Sequence, residues 1–146
     1  MPCTYIISTG QFLGPDGALL GTCYAGHPPF VNDITAVTLQ DRGPLPPGVY
    51  KIGPPETGVH VGPLAMPLIP EPAANGTLDW LHGRSSFFIH GDDIEHPGFG
   101  SDGCIVPTHL PDGVVNGRAV REAIIALRAQ DDVLQVLATP PSDPTA

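Results

Sequence analysis

The chain has 146 residues, with 6 Lys and Arg against 15 Asp and Glu, which gives a formal net charge of −9. Such an acidic chain has no basic stripe for phosphate backbones or anionic lipid, which excludes nucleic acids and membrane surfaces as partners. Its 18 Gly and 19 Pro accompany 41% hydrophobic residues. This composition favours short strands joined by tight turns and excludes a long-helix protein.

Runs of β-forming residues predict a mainly β fold. In chain order, the predicted strands are residues 3–8, 19–24, 36–40, 49–52, one within 61–69, 85–90 and 133–137. Residues 104–106 begin either a further strand or a short turn. Pro15, Asp16 and Gly17 predict the turn of an N-terminal hairpin, because proline presets one backbone dihedral and glycine permits positive φ. The segment 43–48, rich in Gly and Pro, predicts a rigid turn before the strand at 49–52.

One or two short helices are expected, the clearest near residues 116–129, where Asn116 is a suitable N-terminal cap. Apolar residues at helical spacing are predicted to pack on the sheet: Val120, Ala123, Ile124 and Leu127. Charged residues are predicted to lie on the other faces: Arg118, Arg121, Glu122 and Arg128.

The length predicts a single domain over residues 1–138, followed by a Pro-rich flexible tail over 139–146. The N-terminus lacks the features of a signal peptide, so we expect synthesis in the cytoplasm. No apolar run is long enough for a transmembrane helix, so no membrane insertion is expected. Cys3 and Cys23 fall in the predicted hairpin, either as buried thiols or as a pair in an oxidising compartment.

The residues from Phe87 to Pro107 carry the chemistry. His90 ends the most apolar predicted strand, and Cys104 follows 14 residues later, behind Ser101, Asp102 and Gly103. A thiol needs to lose its proton to act as a nucleophile, and an imidazole can accept that proton and deliver it to a leaving amine. A glycine before the cysteine lets the Gly103 and Cys104 N–H groups approach a developing oxyanion.

Four segments resemble the L,D-transpeptidase-like (Ser-x-Gly-Cys) superfamily, which acts on peptidoglycan. His90-Gly91 followed by Ser101-Asp102-Gly103-Cys104-Ile105 is similar to its signature. The nearer resemblance is to a compact branch of effectors delivered by bacterial type VI secretion. The segments that carry it are residues 8–17, 26–32, 43–50 and 84–106. The resemblance implies a β-rich sandwich with residues 1–138 as the catalytic domain.

The resemblance implies roles for the matching residues. Cys104 corresponds to the nucleophile and His90 to the general base. Gly103 and Cys104 would supply the oxyanion-hole N–H groups. Ser101 would bind substrate or shape the loop, and Gly91 is the glycine after the base. Asp102 occupies a position that is histidine in the wider superfamily, which leaves His90 as the base.

The implied activity is cleavage of the meso-diaminopimelate–D-Ala bond of tetrapeptide stems (L,D-carboxypeptidase), exchange of the terminal D-Ala for another D-amino acid, or both. The implied partners are peptidoglycan stem peptides, a periplasmic immunity protein and a secretion-system carrier. The implied place of action is the periplasm of a target bacterium. No metal or organic cofactor is called for.

Several assignments stay open at this stage. The group that orients His90 is Asp92, Asp93, Asp102 or a backbone carbonyl. Asp92 and Asp93 are also candidates for substrate binding, and each of the three aspartates is alternatively a solvated loop carboxylate or a turn former. Arg84 either binds a substrate carboxylate or is an exposed charge before a strand.

Two other functions compete with a cysteine enzyme. The first is a metal-dependent peptidase that would use a cluster of His82, His90, Asp92, Asp93 and His96. Their spacing matches no metal motif. The second is a non-catalytic module that binds the cell wall. A papain-like amidase is a weaker alternative, because in such enzymes the cysteine usually precedes the histidine.

Overall fold

The computed structural model describes residues 2–56, 64–92, 96, 99–107 and 113–141, with side chains of the helix described from residue 117. These residues form eight strands and one α-helix, with two short 3-10 turns at Ile34–Ala36 and Asp79–Leu81. The elements are β1 Cys3–Ile6, β2 Gln11–Leu13, β3 Leu19–Ala25, β4 Gly48–Ile52, β5 Met66–Pro70, β6 Phe87–Ile89, β7 Ile105–Pro107, α1 Gly113–Arg128 and β8 Val133–Leu137.

The strands close into one barrel in the order β1-β2-β3-β7-β6-β5-β4-β8. The closing pair β1–β8 and the pair β6–β7 are parallel, and the other pairs are antiparallel. The predicted mainly β class with a short helix is confirmed. The strands form a closed barrel where a sandwich was expected. Closure satisfies the hydrogen bonds of strands only three residues long, which would be weak at an open edge.

The core is a single cluster of apolar side chains from the strands and α1. Tyr50 of β4 is fully buried, its ring meets Trp80 edge-on at a centroid distance of 5.3 Å, and its hydroxyl donates to the Pro46 carbonyl at 2.6 Å. A buried phenol needs such a partner. This bond fixes the predicted 43–48 turn against the barrel, beside the loop that precedes β7.

Helix α1 packs on β3 and β7. Gly21 provides the room, because a Cβ built on it would lie 2.4 Å from Val120 Cγ2. The side chains facing the barrel include Val120, Arg121 and Ile124. The prediction that Arg121 lies on another face is therefore wrong: positions 120, 121 and 124 share one helical face. The described helix lacks the length and hydropathy needed to cross a bilayer.

Two other local predictions are wrong. The strand predicted over 36–40 does not form: Ala36 ends the 3-10 turn Ile34–Ala36, and residues 37–40 form turns and a bend. The Asp33 carboxylate accepts the Thr35 N–H at 2.9 Å, which favours a turn here. Helix α1 begins at Gly113, so Asn116 lies inside it and is not its cap.

The strand predicted over 85–90 is shorter at both ends. Ser86 adopts a positive φ of 65°, which interrupts extended backbone before β6 begins at Phe87. Of the strand predicted within 61–69, the part from Met66 is β5, and residues 57–63 lie outside the described residues. The last five residues of the predicted tail also lie outside them.

Cys3 and Cys23 are buried free thiols. They lie on β1 and β3, which flank β2. Two inter-strand spacings separate their backbones by about 10 Å, whereas a disulfide needs Cα atoms within about 7 Å. The structure therefore favours the buried-thiol alternative over the pair.

Candidate active site

The parallel pair β6–β7 brings His90 and Cys104 to one edge of the barrel. Ile89 is the register partner of Ile105, and the His90 N–H donates to the Ile105 carbonyl at 3.1 Å. His90 thus follows the end of β6, and Cys104 precedes the start of β7. Side chains alternate along strands, so both point to the face opposite Ile89 and Ile105, which belong to the core. His90 and Cys104, 14 residues apart in sequence, therefore occupy neighbouring positions in the barrel.

The Cys104 thiol is buried, with 9% of the residue exposed. The Phe88 N–H donates to Sγ at 3.3 Å, and the thiol faces the Ser86 carbonyl at 3.9 Å. Burial raises the pKa of the thiol to about 11, and the Asp102 carboxylate adds to the rise. The N–H groups of Phe88 and Cys104 itself, together with the Arg84 guanidinium, act in the opposite direction. Cys104 therefore rests as a neutral thiol.

His90 is also buried, with 4% exposed. Nδ1 donates to the Gly91 carbonyl at 2.7 Å, because a carbonyl can only accept. Nε2 of the neutral ring is then left as the proton acceptor. Burial lowers the pKa of His90, and the Arg121 charge lowers it further, against the Gly91 hydrogen bond and the carboxylates of Asp92 and Asp102. The resting pair is therefore neutral thiol and neutral imidazole, suited to general-base activation.

These pKa directions predict how the thiol reacts with pH. Alkylation of Cys104 by iodoacetamide should be slow at pH 7, where a thiol of pKa about 11 is ionised to about one part in 10⁴. The rate should rise about tenfold per pH unit up to that pKa. Turnover should fall only below the ordinary histidine pKa of about 6.5, because a lowered His90 pKa keeps the base unprotonated above it. Stopped-flow alkylation and kcat/KM profiles measure both, and the Cys104→Ala variant reports background labelling of Cys3 and Cys23. An alkylation rate that does not change from pH 5 to 9 would instead indicate a preformed thiolate.

Ser101 shapes the loop before β7. It is fully buried, and its hydroxyl donates to the Cys104 carbonyl at 2.6 Å. The same oxygen accepts the N–H groups of Gly26 at 2.9 Å and Gly103 at 3.0 Å. These bonds use the hydroxyl's donor and its acceptor lone pairs. Of the two roles the resemblance implies for Ser101, the geometry favours shaping the loop over binding substrate.

Gly103 is held in a conformation that suits only glycine. Its φ is +139°, and a Cβ built on it would lie 2.6 Å from Arg84 Nη2. Its N–H already donates to Ser101, so this amide is not free for an oxyanion. The donors beside the sulfur are instead the N–H groups of Phe88 and Cys104. Phe88 was missed from sequence, because its amide reaches the thiol only through the β6–β7 pairing.

Arg84 is neither a substrate-binding residue nor an exposed charge, the two roles expected from the sequence. The residue is 4% exposed, so it is not a surface charge. Nη1 donates to the carbonyls of Val37 and Pro44, both at 2.7 Å, and Nη2 donates to those of Gly43 at 2.8 Å and Asp102 at 3.3 Å. Its guanidinium also lies over the Phe87 ring, 5.1 Å from the centroid. Arg84 thus joins the 37–44 segment to the Cys104 loop and is not presented to substrate.

Among the described residues, Asp92 and Asp102 contact groups other than the His90 ring. Asp92 accepts a hydrogen bond from the Tyr24 hydroxyl, which itself accepts the Gly100 N–H at 2.9 Å. The exposed Asp102 carboxylate lies 3.6 Å from His27 Nδ1. Asp93 lies outside the described residues. Of the alternatives left open by sequence, the backbone carbonyl of Gly91 is the one hydrogen-bonded to Nδ1.

A metal cluster of the predicted kind is not assembled in the described part of the chain. No three His, Cys, Asp or Glu side chains converge there closely enough to hold an ion. His82 is exposed at the end of a 3-10 turn, in a left-handed conformation, and His90 is engaged with Gly91.

The Tlde1 domain family matches residues 21–126, a span that runs from β3 into α1 and includes both His90 and Cys104. The chain belongs to the Tlde1 domain family. This is a family of type VI secretion effectors, which supports the expected antibacterial effector secreted into a target cell. No curated protein and no solved structure matches the sequence. The Tlde1 match spans the 43–48 turn, Arg84 and the Ser101 loop as well as the His/Cys pair.

Proposed function

We propose that this Tlde1 domain is a cysteine-dependent enzyme of the L,D-transpeptidase type that modifies peptidoglycan. It cleaves the meso-diaminopimelate–D-Ala bond of tetrapeptide stems, or exchanges the terminal D-Ala for another D-amino acid. The observation that carries the proposal is the β6–β7 pairing, which places a histidine and a cysteine on one face at adjacent strand ends. Family membership adds delivery by type VI secretion.

The chemistry follows from the protonation of the pair. His90 Nε2 takes the thiol proton as Sγ of Cys104 attacks the carbonyl carbon of the diaminopimelate residue. The N–H groups of Phe88 and Cys104 lie beside the sulfur, where they can donate to the oxyanion. Collapse breaks the carbon–nitrogen bond, His90 returns the proton to the leaving D-Ala amine, and a thioester remains.

The thioester has two fates. Water attacks with His90 as base, which releases a tripeptide and regenerates the thiol. Alternatively, the amine of a free D-amino acid attacks and gives an altered tetrapeptide. The thiol and imidazole share no direct hydrogen bond, and such catalytic contacts commonly tighten when substrate binds. Neither fate uses a metal or organic cofactor.

The proposed place of action is the periplasm of the target cell, because stem peptides are accessible there. Residues 1–138 form the proposed catalytic domain, since β8 completes the barrel that supports the site. A periplasmic immunity protein in the producing cell and a secretion-system carrier are the proposed protein partners.

Mass analysis of tetrapeptide muropeptides tests the activity. Incubation with the wild-type protein should remove the terminal D-Ala, and a folded Cys104→Ala variant should leave the muropeptides unchanged. Adding a free D-amino acid separates exchange from hydrolysis, because exchange gives a tetrapeptide of new mass. Unchanged muropeptides with folded wild-type protein would overturn the proposal in favour of a wall-binding module.

A further inference from the structure

Arg121 is a buried charge without a counter-ion among the described residues. The residue is 8% exposed, and its Nε is buried with no hydrogen-bond partner. The nearest acidic residue on the same helix, Glu122, accepts instead from Arg118 Nε at 3.2 Å. Burial and the Arg118 charge lower the pKa of Arg121, against the attraction of Glu122.

The guanidinium of Arg121 borders the candidate base. A Cβ built on Gly91 would lie 2.7 Å from Nη1 and 3.2 Å from Cζ of Arg121. The absence of a side chain at Gly91 therefore lets the cation reach this position. The Gly91 carbonyl holds His90 Nδ1, so α1 presents a cation directly beside the histidine.

Arg121 differs in this respect from the other buried arginine. Arg84 donates to four backbone carbonyls, which explains its burial as structural. No such set of carbonyl acceptors surrounds Arg121 in the described part of the fold. A guanidinium whose buried Nε lacks a partner costs stability, and the planar donor pair of an arginine matches a carboxylate in bidentate geometry. A group of this kind next to an active site is suited to binding an anion.

We propose that Arg121 binds a carboxylate of the stem peptide and so positions the scissile amide between His90 and Cys104. This inference rests on the proposed function and adds a specificity-determining residue to it. Two carboxylates of the substrate have the required chemistry: that of the terminal D-Ala and the free carboxylate of the diaminopimelate side chain. Both would form the same pair of charged hydrogen bonds with the guanidinium.

Carboxylate binding would also assist the acid–base step. The Arg121 charge disfavours the protonated form of His90 and so lowers its pKa. A carboxylate bound to the guanidinium neutralises that charge, which eases proton transfer from Cys104 when substrate is present.

The kinetic test compares Arg121→Gln with Arg118→Gln, which removes the same charge from an exposed position on the same helix. Arg121→Gln should lower kcat/KM for the tetrapeptide by about 10–100-fold, mainly through KM, because a charged bidentate contact is lost. Arg118→Gln should stay close to wild type. Equal effects of the two substitutions would overturn the inference.

Two amidated substrates distinguish the carboxylates. For the wild-type protein, kcat/KM should fall by about 10–100-fold on the substrate in which the carboxylate that contacts Arg121 is replaced by an amide. On that substrate Arg121→Gln should cause no further loss. If neither amide affects the wild-type protein, Arg121 does not bind a substrate carboxylate.

Stability and binding measurements remain informative if no turnover is observed. Arg121→Met should keep or raise the melting temperature, because it removes an unpaired buried charge, whereas a structural arginine would lower it. Calorimetric binding of the tetrapeptide to Cys104→Ala should weaken about 10–100-fold when Arg121→Gln is added. Absence of turnover with Arg121-dependent binding would reject the proposed function alone. A lower melting temperature or unchanged binding would reject the inference.

Discussion

Replacing His90 with alanine is expected to lower the rate of Cys104 acylation by about 10²–10⁴-fold, the contribution of a positioned general base. The effect should be large because the thiol has a raised pKa of about 11 and cannot supply thiolate on its own at neutral pH. Rapid-quench mass analysis of the intact protein measures the acyl adduct formed from a tetrapeptide.

The matched control is His82→Ala, which removes an exposed histidine at the end of a 3-10 turn. It should acylate at the wild-type rate. Far-UV circular dichroism verifies that both variants keep the fold. Acylation of His90→Ala at the wild-type rate would exclude His90 as the base.

The second large effect is expected from Arg84→Leu. This substitution leaves the buried carbonyls of Gly43 and Pro44 without their donor, together with those of Val37 and Asp102. The free energy of unfolding should fall by about 3 kcal/mol or more, since each unsatisfied buried acceptor costs about 1–3 kcal/mol. Urea denaturation measures the change.

Arg42→Leu is the control for Arg84→Leu, because Arg42 is an exposed arginine within the same 37–44 segment whose side chain does not hold the Cys104 loop. Its effect should stay within about 0.5 kcal/mol, as for most surface substitutions. Arg84→Lys should fall between the two, because an ammonium has three donors on one atom and cannot span the same carbonyls. Equal midpoints for Arg84→Leu and wild type would contradict the structural role assigned to Arg84.

Local patterns predicted the strands well where the deciding interactions are local. β8 matches its predicted bounds of 133–137, and β3 extends one residue beyond its prediction. The strand predicted over 36–40 is replaced by turns, because the Asp33 side chain stabilises a 3-10 turn that ends at Ala36. The barrel itself was not predictable, since closure depends on β1 meeting β8 across almost the whole chain.

In the candidate site too, some residues were predictable from local sequence and others depend on contacts with distant parts of the chain. His90 and Cys104 stand out in a motif, so sequence indicates them directly. The role of Arg84 depends on carbonyls about 40 residues away along the chain and has no local signature. Arg121 did have a signal: it lies one position after Val120 and three before Ile124, on the buried helical stripe. Because Arg121 is charged, it was predicted to face solvent, and its place on the buried stripe was overlooked.

The position of β8 between β1 and β4 determines when the barrel can close during synthesis of the chain. Until residues 133–137 leave the ribosome, β1 and β4 have no strand between them, and the sheet presents two open edges. Folding must then await contacts between residues far apart in sequence, which slows it. The barrel therefore reaches its closed, site-bearing form only after β8 has been made.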